Sequence, residues 1–472
     1  MTRRLGQETD RRSVLKAMTA VVAAGASWPA RGWAQASAPG SEAASVAAAR
    51  PALSLNVRAY GAVGDGKQDD TEALRTALER CFVLGGGEVV VPEGEYRTGS
   101  LCLRSGVHLR LEKGSVLAGA DGLDDYAVTQ VRWEGKWIRG HVALVYAIDA
   151  RDVAVSGEGA IHGNAAVSGR PTKENPLRRP ALLEFIGCDG VRLEGFSTEY
   201  QHMWSIHPTC CENVTIRNLT VRSTETNGDG IDVDSCRHVL IEGCDIASGD
   251  DCISLKSGRG EEAFQMHRPT ENVRIVNCTL EGRGYSCLGV GSETSGGIRN
   301  VVMEGCTVRS VYKNAIYIKS RVGRGAYIEN VTIRGLKAAN MRMGFLRIDQ
   351  VSAGIRDQDP VPGLVGLPLF RNFWFEDIHV DDAPVLVRAT EIAAEKMLHG
   401  LVLRNITGTC REGIQLANAR RVVVEQVKVQ GYTGPLLSVV NVKGVGLAGA
   451  AELPAPKPVQ LVADPTVAYR LG

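Results

Sequence analysis

Asn213-Val-Thr-Ile216, His238-Val-Leu-Ile241, Asn272-Val-Arg-Ile275, Asn300-Val-Val-Met303 and Asn330-Val-Thr-Ile333 repeat one short pattern along the middle of the chain. Outward from this core the pattern continues. Before it stand Gly106-Val-His-Leu-Arg-Leu111, Asp152-Val-Ala-Val155 and Gly190-Val-Arg-Leu193; after it stand Asn372-Phe-Trp-Phe375, Gly400-Leu-Val-Leu403 and Arg421-Val-Val-Val424. Most repeats are spaced by about 21 to 34 residues, the range of solenoids. Alternation puts Val and Ile on one face and Arg, Thr or Glu on the other, which is strand periodicity. No long helical period interrupts, so alternating strands and helices are disfavoured. A coil of parallel strands buries its apolar face by stacking on the next coil, and an Asn repeated at one turn can stack into a ladder. The pattern therefore predicts a parallel β-helix.

Two regions depart from the repeat. Asp65 to Arg80 reads as a capped helix, with Asp69, Asp70 or Thr71 as N-cap and Ala73, Leu74, Ala77 and Leu78 as its apolar stripe. It is expected to cover the open N-terminal end of the coil. Gln350 to Leu369, rich in Pro and Gly, reads as a long surface loop bordering a cleft. The first 50 residues read as targeting sequence: a twin-arginine export signal at Asp10-Arg-Arg-Ser-Val-Leu-Lys16, an apolar run Ala17 to Ser27, and an Ala34-Gln-Ala36 cleavage site. Residues 1–36 are thus expected to be a signal peptide, 37–50 a disordered linker and 51–472 the β-helix domain. The destination is expected to be periplasmic or extracellular.

Composition narrows the function. The chain has 472 residues, 44% of them hydrophobic, and a net charge of +1 with acids and bases mixed. That gives no support for nucleic-acid or membrane-surface binding. The 54 glycines suit many tight turns. There are twelve cysteines, the first at Cys81. Cys188, Cys211, Cys236, Cys244, Cys278 and Cys306 recur at similar places in the repeat, the pattern of small buried side chains stacked in a core. An oxidising destination allows one or two bridges besides. Zinc spacing of the Cys-x-x-Cys kind is absent.

The chemistry concentrates in Asn227-Gly-Asp-Gly-Ile-Asp-Val-Asp-Ser-Cys236 and Ser248-Gly-Asp-Asp-Cys-Ile-Ser-Leu-Lys256. These place Asp229, Asp250 and Asp251 about one repeat apart. Glycoside hydrolysis needs one carboxylic acid to protonate the leaving oxygen and a carboxylate to activate water or attack the sugar. Adjacent aspartates repel, so their proton affinities split. A calcium site is the competing reading of clustered aspartates, but the glycine is misplaced for a calcium-binding loop, and no metal or cofactor is expected.

From about Asn56 to Pro435 the chain resembles glycoside hydrolase family 28, the polygalacturonase family, in its bacterial branch. The resemblance rests on Tyr60-Gly-Ala-Val-Gly-Asp-Gly-Lys-Gln-Asp-Asp-Thr71, Trp204-Ser-Ile-His-Pro208 with Cys211-Glu-Asn-Val214, Asn227-Gly-Asp229, Gly249-Asp-Asp-Cys252 and Gly291-Ser-Glu-Thr-Ser-Gly-Gly297. It implies a right-handed parallel β-helix, a pectic polysaccharide or oligosaccharide as substrate, and inverting hydrolysis. Asp250 then resembles the general acid, and Asp229 and Asp251 the pair that holds and activates water. Asn227, Lys256, Lys319 and His207 become candidate substrate contacts. Trp204, Tyr312 and Asn314 are weaker ones, Glu293 reads equally as a residue holding Ser292 or Lys319, and His202 and His238 read as structural.

Two departures stand out. Tyr285 falls where the family has the His of Gly-His-Gly, and Tyr317-Ile-Lys319 stands for Arg-Ile-Lys. Arg grips a carboxylate through two parallel hydrogen bonds and Tyr cannot, whereas Tyr can stack on a sugar face. The leaving-group subsite is therefore expected not to demand galacturonate and to accept rhamnose, another neutral sugar or a differently placed uronate, unless Arg283 or Arg321 restores the charge. A polysaccharide lyase and a non-catalytic carbohydrate-binding β-helix are the alternatives. The retained aspartates weigh against both.

Overall fold

The computed structural model describes residues 53–223 and 225–463. All but two of their strands form one continuous parallel sheet, and from Val145–Ile148 to Tyr327–Arg334 each strand pairs with the strand three further along the chain. Three strands thus make one coil, as in Ile231–Asp234, Arg237–Glu242 and Asp245–Ser248, followed one coil later by Ile253–Lys256, Thr270–Val276 and Thr279–Gly282. The winding is right-handed, the hand that parallel connections between right-twisted strands adopt.

The quoted repeat is the second strand of each coil. Val191, Val214, Val239, Val273, Val301 and Val331 lie in register down the stack, and all are buried. The residue just before each Val makes the corner. Gly190 has φ 77°, and Asn213, His238, Asn272, Asn300 and Asn330, with Asn372 before Phe373 on the next coil, all have φ between 55° and 59°, a left-handed conformation that Asn tolerates better than most side chains. The ladder forms from Asn272 onward: the side-chain amides of Asn300, Asn330 and Asn372 each donate to the Asn one coil earlier, at 3.0, 3.0 and 2.9 Å. Ile241 is buried in the next inward column, in register with Ile216 and Ile275, and Ile241→Ala is expected to cost about 2–5 kcal/mol in denaturant unfolding.

Cys188, Cys211 and Cys236 stack in one buried column, and Cys244, Cys278 and Cys306 in another. All twelve thiols are free. The stacked-core expectation holds and the allowance for bridges does not, because these side chains fill equivalent inward positions on successive coils.

Helix α1 spans Thr71–Val83 and buries Leu74, Ala77, Leu78 and Cys81 against the first coil. The expected segment began too early. Asp65–Asp69 is a strand paired with Gly94–Thr98, since Asp65 accepts from the Lys67 and Gln68 N–H groups in a local turn. Asp69 then accepts from the Thr71 N–H at 2.9 Å. The segment 350–369 contains a single turn of 3-10 helix, Leu364–Gly366. It is a pinned loop rather than a loose one: Asp357 pairs with Arg324 at 2.7 Å with both side chains fully buried. The twin-arginine and linker expectations fall on residues 1–50, outside the described residues.

Candidate active site

The first strand of each coil forms the floor of the site. One outward column runs Glu184, His207, Asp232, Ser254, Gly289, Tyr317, Arg347, Arg388 and Gln415. Two residues further along each strand, Asp234 lies beside Lys256 and Lys319 beside Asp349. The turns that lead onto the floor carry Asn227 and Asp229, then Asp250 and Asp251, then Tyr285, then Tyr312 and Lys313.

The structure brings Asp229, Asp250 and Asp251 together: one oxygen of each lies within 4.8 Å of the other two. Asp251 accepts from Lys319 Nζ at 2.8 Å and from the Ser286 N–H at 3.1 Å. Gly289 makes the room, because a Cβ there would lie 2.3 Å from Asp251 Oδ2. Asp250 accepts from the Asp251 N–H at 3.0 Å. Burial, and then the neighbouring Asp251 charge, pushes the Asp250 carboxyl up to about 6. Burial, and then Asp232, holds the Asp229 carboxyl well above the usual range. Lys256 lies 2.5 Å from Asp232 and 3.6 Å from Asp229. Although burial works against its charge, these carboxylates hold its pKa well above the ordinary value.

The cluster has the oxygen donors that a divalent cation takes. Two ammonium groups, Lys256 and Lys319, are already paired with it. That balance suits proton exchange better than a divalent ion.

Tyr285 and Tyr317 meet as a stacked pair, centroids 6.2 Å apart and planes 25° from parallel. They line the floor just beyond Asp251. Lys319 is spent on Asp251. Asn227, in a left-handed conformation, sits on the same turn as Asp229, with a buried Oδ1 that has no protein partner.

Other candidates sit elsewhere than expected. His207 is fully buried, with its ring nitrogens engaged by Glu184 at 3.0 Å and Thr209 at 2.8 Å. It packs beneath Trp204 and does not reach a substrate. Lys256 is held by Asp232 and by the face of Trp204, 4.0 Å from the ring centroid; it supports the acid cluster instead of lying free for sugar. Trp204 is core, stacked on Trp133 at 4.9 Å. Glu293 stands among cations: burial opposes its charge, but Lys256, Arg324 and Lys319 outweigh it and lower the pKa. Its hydrogen bond from Ser292 is long, 3.4 Å. Arg283 pairs with Glu281 at 2.9 Å on the surface, and Arg321 donates to the Gly354 carbonyl. Neither covers the tyrosine pair. Tyr312 is exposed under the Arg342 guanidinium, while Asn314 is buried.

Sequence reasoning missed Lys313, whose Nζ lies 3.7 Å from the Tyr285 centroid, and Arg347, whose guanidinium lies 5.2 Å from that of Tyr317. Laying Arg347-Ile-Asp349 under Tyr317-Ile-Lys319, one coil back, was the signal available. It also missed the antiparallel hairpin Val128–Trp133 and Lys136–His141. This hairpin lies along the floor strands: Gly140 approaches Arg178 at the sealed coils, and its tip at Gly135 approaches Gly258 and Glu293, which follow the strand that Asp251 leads onto and the next one. Arg132 pairs with Asp234 at 3.1 Å beneath it, and Lys136 reaches Asp359 of the 350–369 loop at 2.6 Å.

A parallel β-helix with clustered aspartates opening onto a cleft defines a class of carbohydrate-active protein. The model of glycosyl hydrolases family 28 matches residues 85–353, and the chain belongs to that family, as a polygalacturonase-like glycoside hydrolase. It is 26% identical over 362 residues to a probable polygalacturonase of Vitis vinifera, covering 74% of this chain and 72% of the relative. It is 26% identical over 309 residues to an exo-poly-alpha-D-galacturonosidase of Dickeya chrysanthemi, covering 53% of this chain and 49% of that protein. Among solved structures, an exopolygalacturonase from Thermotoga maritima superposes with TM-score 0.69 at 26% identity, over 81% of this chain and 93% of that one. The family 28 exopolygalacturonase of Yersinia enterocolitica gives TM-score 0.70 at 22% identity, over 85% and 79%, a likeness of fold.

Proposed function

We propose that the protein hydrolyses glycosidic bonds of a pectic glycan with inversion, using Asp250 as general acid and Asp229 and Asp251 to hold and activate water. The observation that carries this reading is the contrast between neighbours. Asp250, pushed up to about 6, can keep a proton at weakly acidic pH, while Asp251 accepts hydrogen bonds from Lys319 and the Ser286 N–H and is placed to receive a proton from water. Tyr285 and Tyr317, which stand where the resemblance puts a His and an Arg and cannot grip a carboxylate through two parallel hydrogen bonds, support a leaving-group subsite that takes a neutral sugar. The covered floor supports action near a chain end, since extended sugar would have to displace the hairpin to continue past Asp229. Export by the twin-arginine route, to the periplasm or beyond, belongs to the same reading, and fractionation of cells with and without the two arginines tests it.

New reducing ends should be followed on rhamnogalacturonan and on polygalacturonate, with Asp250→Asn as control. Release by the wild type from rhamnogalacturonan, absent in the variant, is the expected outcome. A strong preference for polygalacturonate would sink the neutral-sugar subsite, and an unsaturated uronate product would replace hydrolysis by a lyase reaction.

A further inference from the structure

The positive charges beyond the aspartates are not missing from the cleft; they stand one coil farther on. The resemblance puts a His at 285 and an Arg at 317, and both are Tyr here. Lys313 lies on the turn that follows the Tyr285 turn by one coil, its N–H bonded to the Tyr285 carbonyl at 3.0 Å. Arg347 lies on the strand that follows Tyr317 by one coil, in register with it. Each cation is thus shifted in the same direction by one strand spacing, about 4.8 Å, a step comparable to one sugar unit of an extended glycan.

We propose that Lys313, on the turn that opens the Tyr317 strand, and Arg347, one coil farther on, form a carboxylate-binding subsite at the far edge of the tyrosine pair, so that the leaving group presents a neutral sugar beside Tyr285 and Tyr317 and then a uronate to the two cations. Such a subsite presupposes that the aspartate cluster is the hydrolytic centre. Its substrate class is a glycan in which neutral sugars and uronates alternate.

The charges are available. Among the described residues no carboxylate lies within 4.0 Å of the Lys313 ammonium, which rests on the face of Tyr285. Arg347 has two long contacts, 3.5 Å to Asp349 and 3.5 Å to Glu391, and a buried Nε with no partner. Asp349 is meanwhile occupied by the Val351 and Ser352 N–H groups and by the Ser352 hydroxyl at 2.8 Å. Arg347 also faces Arg388 in register on the next strand. Like charges placed opposite each other repel, and an anion between them relieves that repulsion. Lys319 cannot serve this subsite, because Asp251 holds it.

The test is binding to the Asp250→Asn protein, which separates recognition from turnover. The probes are a rhamnogalacturonan oligosaccharide and the same oligosaccharide with its carboxyl groups reduced to alcohols. The reduced probe should bind at least about tenfold more weakly, as expected for a lost charge-assisted hydrogen bond. Lys313→Met and Arg347→Gln should each weaken binding of the acidic probe by a similar factor and leave the reduced probe unchanged; Lys313→Arg should restore it. Equal binding of the two probes, or no binding of either, overturns the subsite. The comparison of probes needs no variant at these positions, so it stands even if Arg347→Gln fails to fold. Reducing-end release by the wild type, run in parallel, reports separately on whether the aspartates hydrolyse.

Discussion

The floor of the cleft behaves as two materials. On the N-terminal side of the aspartates its polar side chains are sealed: Arg178 holds Glu184 through two hydrogen bonds of 2.6 Å, His207 caps Glu184, and Arg132 meets Asp234, all under the hairpin at 1% exposure or less. Burial opposes the Glu184 charge, yet Arg178 and His207 hold its pKa down to about 2. On the C-terminal side the same column opens, from Tyr317 at 5% to Arg347 at 27% and Arg388 at 38%. Identical strand geometry thus gives a sealed floor on one side and an open one on the other. The catalytic candidates sit where the two meet. The lesson is that a solenoid repeats its backbone but not its chemistry: what covers the floor decides whether an outward charge becomes a strut or a contact.

Substitutions on the two halves should separate activity from stability. The largest effect is expected at the boundary. Asp250→Asn should lower kcat by about 10³-fold or more with unchanged circular dichroism; retention of a tenth of the activity would remove Asp250 from the acid role. Gly289→Ala comes next, since its new Cβ would lie 2.3 Å from Asp251 Oδ2. Displacing that carboxylate should cost about 10²-fold in kcat, and an unchanged kcat would mean that Asp251 is not placed by this gap.

The pH dependence is smaller. With Asp250 as acid, kcat should fall about tenfold per unit above pH 6, and a profile flat to pH 8 would contradict the assignment. The stability sign follows from the same shift. A carboxyl raised to about 6 when folded favours the fold below the unfolded value of 3.8, and this contribution is lost as pH rises through 6. Asp250→Asn should therefore gain stability relative to wild type above pH 6, read by thermal melting.

On the sealed half, Glu184→Gln should leave Arg178 buried without its counter-charge. The expected cost is about 3–5 kcal/mol in denaturant unfolding, with little change in the kcat of the folded fraction. A large kcat loss at unchanged stability would mean that this half touches substrate after all. Lys136→Ala, which cuts a part-exposed ion pair, should cost about 1 kcal/mol or less and act mainly on which glycan lengths are cut.

Much of this was legible in the chain, for a physical reason. The Asn-Val-x-Ile unit states the corner, the inward Val and the stacking period in four residues, so the coil follows from local pattern. Asp229, Asp250 and Asp251 were legible because the turns that carry them repeat at the coil period. What covers the floor was not. His207 and Lys256 occupy outward positions, and both pack against Trp204, which is itself stacked on Trp133 of the hairpin far away in sequence. Lys313 and Arg347 were missed because the sequence was compared at fixed positions, whereas their charge is displaced by one whole coil. The segment 65–69 escaped because it pairs with Gly94–Thr98 across a shift of register, where the Asp65 side chain closes a local turn on the Lys67 and Gln68 N–H groups.

With the aspartates at the junction of a sealed and an open floor, a glycan is expected to enter from the open side and to be cut near its end. Product sizes from a polymeric substrate at the first few per cent of bond cleavage test it most directly, read together with solution viscosity. Short products of fixed length, with viscosity almost unchanged, are what this structure predicts. A broad spread of fragment sizes and an early collapse of viscosity would contradict it, and would mean that the hairpin does not close the cleft to an extended chain.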